Sequence, residues 1–304
     1  MEQPPSPATS PSELRQCIHH LLKFILQSRV DGAPDVDLFL SADYCVSLLR
    51  EGPLTAAAEP DSAPPTPSVS AGVPEYPLYE RLAFALHEAI LSGGMPERSD
   101  DHSCINLAFS SRGDGESQKH VFDELISQQG SELLDILKSV RYGIHVQEPY
   151  FSQLRDGTKT VEGRCAVGDY NRIKSGDLIL LNECLVFQVQ YIHHYASFYE
   201  MLEGEDLENV LPGILSIEEG IQVYRKFYTE EKERSNGVLG IGVSKSSSQP
   251  YICLARILSG LSYEGIQQLL GSVHAMGTIC ESLPPPASVL LSAFQQPYNP
   301  DGAS

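Results

Sequence analysis

Pro149-Tyr-Phe-Ser-Gln-Leu-Arg-Asp-Gly-Thr-Lys-Thr-Val-Glu-Gly-Arg164 is the stretch on which the fold turns. Pro149 opens and Gly157 closes a short helix, because proline suits a first helical turn and glycine tolerates the left-handed residue that ends one. An extended segment follows. Alternation along a strand puts Thr158, Thr160, Glu162 and Arg164 on one face, and Lys159, Val161 and Gly163 on the other. Glu162 and Arg164 then stand side by side, able to pair with each other or to offer one ligand an acceptor and a forked donor. The same residues also read as a surface turn carrying a structural Glu–Arg pair.

Working outward, Val140-Arg-Tyr-Gly-Ile-His-Val146 alternates like a strand. Gly176–Leu181 and Leu185–Ile192 are β-rich and joined at Asn182-Glu183. Ser197–Leu202 and Ser216–Tyr228 have helical spacing, and Gly237–Val243 is a closing strand. No strand is followed by a long crossover helix, which argues for a small barrel over a doubly wound sheet. The expected class is α+β, a small β-barrel with flanking helices.

These pieces, in this order, resemble the ASCH domain, a relative of the PUA fold. The resemblance rests on Gly157, Lys159, Thr160, Glu162 and Arg164, then Ile173-Lys-Ser-Gly176-Asp177 leading into Leu178–Leu181. Tyr195-x-x-Phe198, Leu211-Pro212-Gly213, Tyr224-x-x-Phe227-Tyr228 and Gly237-Val-Leu-Gly-Ile241 fit it as well. It covers Tyr142–Val243, and the whole length resembles the longer plant-type proteins named RNA-binding ASCH proteins. The resemblance implies a binding module for RNA or a modified nucleoside, with Lys159, Thr160, Glu162 and Arg164 in the cleft. Tyr170 could stack on a base and Arg172 could rim the same cleft.

Some small bacterial ASCH proteins are amidohydrolases that deacetylate an N4-acylated cytidine with a lysine, a threonine and a glutamate. Their lysine corresponds to Lys159, and the threonine position holds Glu162. The glutamate falls among Glu205, Asp206 and Glu208. Lys159 and Glu162 are thus the candidate catalytic pair. A carboxylate where a hydroxyl nucleophile belongs shifts the expectation from turnover to binding, since Glu162 would pair with Arg164 or Lys159 and keep the lysine charged. His145 reads as structural, His193 and His194 as one exposed and one packed, and Ser197 as a helix cap.

The flanks are helical. Ser12 begins a run with Leu14, Ile18, Leu21, Leu22, Ile25 and Leu26 at helical spacing, within an N-terminal helical region 12–51. Residues 1–11 read as disordered, and 52–77, dense in Pro, Ala and Ser, as a disordered linker. Helical material resumes over 78–138, the barrel domain takes 139–245, a helix follows over 250–281, and 283–304 reads as a flexible tail.

Composition bounds the partners. The 304 residues carry a net charge of -19, which repels nucleic acid at long range and requires a local basic patch for any RNA contact. The same charge suits a protein-interaction adaptor, whose partner the sequence does not name. No apolar run reaches the ~20 residues of a membrane span, so no membrane association is expected. The 7 cysteines are odd in number and lack C-x-x-C spacing, which argues for a reducing compartment, cytoplasmic or nuclear, and against structural zinc. The adjacent pairs His19-His20 and His193-His194 do not share a face on a strand. No metal or cofactor is expected.

Overall fold

The computed structural model describes residues 11–33, 36–50, 77–96 and 114–272. The proposed linker except Pro77, the proposed N-terminal disorder except Pro11, the last residues of the proposed 250–281 helix and the tail lie outside them. The chain divides into two compact units, one of residues 1–20 and 133–251, the other of 21–132 and 252–304.

The first unit is built on five strands: β1 (Tyr142–Ile144), β2 (Val161–Cys165), β3 (Leu178–Leu181), β4 (Leu185–Tyr195) and β5 (Val238–Lys245). They form one sheet in the order β1-β3-β4-β5-β2. β1 runs parallel to β3, and every other pairing is antiparallel. The α+β class expected from the sequence holds, and the small barrel takes the form of a half-barrel. The sheet curls into a half-barrel whose edge strands, β1 and β2, do not pair with each other. Only three residues of β1 find a partner, and β2 is spent on β5, so the seam between them stays open.

Turn chemistry sets the registers. Leu181 pairs with Leu185 across a loop whose Asn182 and Glu183 both have positive φ, 49° and 58°. Asparagine tolerates that region, and its side chain here also bonds the Val146 N–H at 2.7 Å and the Val146 carbonyl at 2.8 Å. In β4 the register slips between Val189 and Tyr191, a bulge at Gln190. One extra residue exchanges the faces of a strand. Val189 pairs with Val243, on the buried inner face, whereas Tyr191, His193 and Tyr195 turn to the other face of the sheet.

Part of that other face is covered by α6 (Phe198–Gly204), α7 (Leu207–Val210), α8 (Ile217–Arg225) and α9 (Glu230–Asn236). Ser197, Ser216 and Thr229 cap α6, α8 and α9, each accepting the N–H three residues on. Val161, Cys165 and Val238 of the sheet pack there with Phe198, Met201, Leu202 and Tyr224. Cys165 and Phe198 are fully buried. The acidic stretch Glu203–Glu208 runs from the end of α6 into α7, and its Glu205 is buried.

The second unit is helical. It contains α2 (Ala42–Leu49), α3 (Leu78–Ser92) and most of α4 (Asp114–Ser139) and α10 (Pro250–Ser272). α1 (Pro11–Val30) continues into it from residue 21, where Leu21, Leu22, Ile25 and Leu26 are fully buried, as helical spacing predicts. α3 ends on Gly93 at φ 75°, and α10 is kinked at Ser262, φ 55°. Among the described residues no helix is long and apolar enough to cross a membrane.

Candidate functional site

The site grows from the opening stretch of sequence. α5 (Tyr150–Asp156) buries Phe151 and Leu154 and ends on Gly157 at φ 79°, whose N–H bonds the Leu154 carbonyl. The strand does not start at once. Lys159 donates its N–H back to Gln153 O at 3.1 Å, and Thr160 donates its own to Asn209 O at 3.0 Å. Only at Val161 does β2 begin. The alternation assumed from the sequence therefore fails for the two residues before it. Lys159 does not face away from Glu162; its Nζ lies 3.2 Å from Glu162 Oε2.

The Lys159 side chain is 1% exposed, and Nζ also donates to the carbonyls of Val161 and Val210, each at 2.5 Å. Two carbonyls and a carboxylate match the three protons of an ammonium, which has no lone pair to offer. Burial nevertheless lowers the lysine's pKa from 10.5, and Arg164 adds to the lowering; Glu162 opposes it without winning. The expectation that Glu162 would keep this lysine fully charged is thus met by its pairing but countered by its burial.

Glu162 is shared. Its Oε1 accepts from Arg164 Nη2 at 3.0 Å, and the same Nη2 reaches His145 O at 2.7 Å. Arg164 is on β2 and His145 directly follows β1, so the guanidinium spans the open seam of the half-barrel. Its Cζ sits 5.7 Å from the Tyr170 ring centroid, in cation–π range. Burial works against the charge of Arg164, but Glu162, Tyr228 and Tyr170 together hold its pKa above the ordinary value. Its Nε is buried and has no hydrogen-bond partner.

These groups floor a cavity of about 280 Å³. Its walls are Tyr150 from α5, Tyr170 from the 3-10 turn Gly168–Arg172, and Tyr224, Phe227 and Tyr228 at the end of α8. Burial, then Glu162, raises the pKa of Tyr150 and pushes that of Tyr224 well up, so both phenols stay protonated at neutral pH. Gly163 makes the arrangement possible, since a Cβ there would lie 2.3 Å from the Tyr224 hydroxyl.

Of the residues singled out from sequence, Lys159, Glu162, Arg164 and Tyr170 meet in this cavity, with His145 on its rim. Thr160 is exposed and uses only its backbone, and Arg172 pairs with Asp169 at 3.2 Å; neither lines the cavity. Nor do Glu205, Asp206 or Glu208. The sequence reading missed Tyr150 as a wall, and it used Tyr224, Phe227 and Tyr228 only as marks of resemblance. Their i, i+3, i+4 spacing was the available signal, since it would place three rings on one face of a continuing helix; here only Tyr224 is in α8, and Phe227 and Tyr228 follow it. Among the described residues no serine, threonine or cysteine lines the cavity. Among the described residues no group of His, Cys, Asp or Glu is arranged to hold a metal ion.

What this arrangement offers is a small aromatic slot with two cations and one anion at its base. Lysine donors are consumed internally, which leaves the Arg164 guanidinium as the polar group with unused capacity. The slot is also a local positive spot on an acidic chain.

The ASCH domain model matches residues 144–247. The crystal structure of hypothetical protein PH0355 is similar at 43% identity, covering 34% of this chain and 98% of that one, with a TM-score of 0.34. The solution NMR structure of protein PF0455 from Pyrococcus furiosus is similar at 45% identity, covering 35% and 97%, with a TM-score of 0.32. No curated protein matches the chain.

Proposed function

Residues 144–247 belong to the ASCH domain family, and we propose that the cavity beside β2 binds one base of an RNA strand or a free modified nucleoside. The family is generally regarded as RNA-binding. The observation that carries the reading is the aromatic slot floored by Glu162 and Arg164. A base inserted between Tyr170 and the rings at the end of α8 would stack, while Glu162 accepts from an amino or imino group and Arg164 donates to a ring nitrogen or carbonyl. A volume of about 280 Å³ is just under the ~300–1,000 Å³ of ordinary small-molecule clefts, which favours a single nucleoside unit. Lys159 serves as the buried prop that orients Glu162. The likeness of the full length to plant-type RNA-binding ASCH proteins is part of the same proposal.

The test is a titration of the full chain with a panel of nucleosides and short single strands. Arg164→Ala should weaken binding by ~1–3 kcal/mol through a lost charge-assisted hydrogen bond, and Tyr170→Ala by ~1–3 kcal/mol through lost stacking. The salt dependence should be shallow, because so acidic a chain neutralises few phosphates. A steep salt slope, or binding unchanged in both variants, refutes the assignment.

A hydrolytic reading draws on one observation, the lowered pKa of a lysine beside a carboxylate. Against it stands Glu162 where the amidohydrolases carry threonine, with no aliphatic hydroxyl lining the cavity among the described residues. Incubation with N4-acetylcytidine should give binding without release of cytidine; turnover abolished by Lys159→Met would establish the hydrolytic reading instead.

A further inference from the structure

A second constellation lies on the outer face of β4, away from the cavity. Tyr191, His193 and Tyr195 alternate along the strand beyond the Gln190 bulge and share that face. Tyr191 and His193 stack with centroids 4.6 Å apart and an interplanar angle of 29°, and His193 meets Tyr195 edge-on at 6.4 Å. All three are bonded to a single carboxylate. Glu205 takes the Tyr191 hydroxyl at 2.9 Å, His193 Nδ1 at 2.8 Å and the Tyr195 hydroxyl at 2.8 Å.

Glycines make room for the cluster. A Cβ on Gly240 would lie 2.7 Å from Glu205 Oε1, one on Gly242 2.3 Å from the Tyr191 ring, and one on Gly204 2.9 Å from the Tyr195 ring. The rings lie down on bare backbone, with their polar ends turned toward a carboxylate whose side chain is only 5% exposed. The pair is not buried: Tyr191 is 36% exposed, and the His193 side chain 57%. An aromatic pair pinned by its polar ends and partly exposed is preorganised to receive a flat group.

The surroundings say what that is. Glu203, Asp206 and Glu208 are exposed on the same short stretch as Glu205, and the chain as a whole carries -19. Carboxylates there repel the phosphates of a nucleic-acid strand and attract cations. We propose that this face docks an arginine side chain of a basic peptide partner, with the guanidinium against the exposed part of the Tyr191–His193 pair and its N–H groups toward these carboxylates. Arginine suits the site better than lysine, because its planar fork both stacks on rings and bonds carboxylates in pairs.

The experiment is an NMR titration of the isotope-labelled full chain with a capped peptide of alternating glycine and arginine. The His193 ring signals should shift and saturate, with an affinity that falls as salt is raised and is weaker for the lysine analogue. Tyr191→Ala should weaken binding about two- to fivefold, the range carried by an exposed cation–π contact. The combined variant Glu203→Gln, Asp206→Asn, Glu208→Gln, which alters only exposed side chains, should remove most of the salt dependence. Absence of a saturable shift at His193, equal affinity in both variants, or a saturable shift there with an oligouridylate but not with the peptide would each overturn the proposal. Arg164→Ala, which empties the polar floor of the cavity, should bind the peptide like the parent chain, and so separates this face from the nucleoside site.

Discussion

Replacing Lys159 by alanine tests the central claim about the site, that a fully buried ammonium holds Glu162 and two backbone carbonyls in place. In the folded chain Nζ satisfies Val161 O, Val210 O and Glu162 Oε2, with the lysine side chain 1% and the glutamate side chain 9% exposed. Alanine leaves a buried carboxylate with Arg164 as its remaining cation, and two carbonyls without this donor. Removing one partner of a buried pair costs about 3–5 kcal/mol. The carbonyls are orphaned within reach of the cavity, where water can replace part of the loss, so each adds only the lower end of ~1–3 kcal/mol. The expected total is therefore about 5–7 kcal/mol, most of the margin by which a domain this size is stable. Lys159→Met, which keeps the stem and deletes the charge, should recover only the packing share, ~1–2 kcal/mol. Because the chain has two compact units, a single melting curve would mix them. Native-state hydrogen exchange at the amides of β2 and β5 reports on the affected unit alone. A loss below ~1 kcal/mol in both variants would refute the reasoning, since it would mean that no paired charge is buried there.

Three further outcomes follow from particular contacts. Burial, reinforced by Glu183, pushes the thiols of Cys17 and Cys184 from 9.0 to about 12, so the folded chain keeps protons that the unfolded chain loses. Their contribution to stability is complete below pH 9 and is lost as pH rises toward 12, which unfolding midpoints at pH 8 and pH 10 should show as a fall at the higher value. Gly163→Ala drives a Cβ to 2.3 Å from the Tyr224 hydroxyl and 2.9 Å from Met201 Cε, and should cost ~1–3 kcal/mol as overpacking, partly restored by Tyr224→Phe in the same exchange experiment. Asn182→Ala removes both bonds to Val146 and leaves a β-carbon residue at φ 49°; a loss of ~2–3 kcal/mol and faster exchange around His145–Gln147 are expected.

The helical and strand segments were legible because their signals are local. Leu14, Ile18, Leu21, Leu22, Ile25 and Leu26 sit at 3.6-residue spacing, and each is at most 3% exposed in α1. Gly93 and Gly157 stop α3 and α5 at positive φ, as glycine after an apolar periodic run implies. The Asn182-Glu183 turn was readable for the same reason. Ser216–Tyr228 was read as one helix, although α8 ends at Arg225 and Phe227 and Tyr228 both return their N–H to Tyr224 O. The kink of α10 at Ser262 left no mark in the apolar pattern.

The sequence by itself determined which residue types could act: Lys159, Glu162, Arg164 and Tyr170 lie within twelve positions, and local pattern sufficed to propose them together. Tertiary structure decided how they act. The two residues before Val161 are tied to Gln153 and Asn209, so strand parity does not apply and Lys159 turns to Glu162. The edges of the sheet stay apart, so Arg164 spans the seam to His145. Tyr224, Phe227 and Tyr228, some sixty residues downstream, arrive as walls only because α8 packs over Gly163. One bulge at Gln190 assigns Tyr191, His193 and Tyr195 to the outer face, and the glycines of β5 make Glu205 the one of three neighbouring carboxylates that meets them. Periodicity and capping depend on neighbours along the chain, which any reading of the sequence contains. A cavity, a shared carboxylate or a strand face after a bulge depends on groups brought together by packing, and no local pattern specifies that distance.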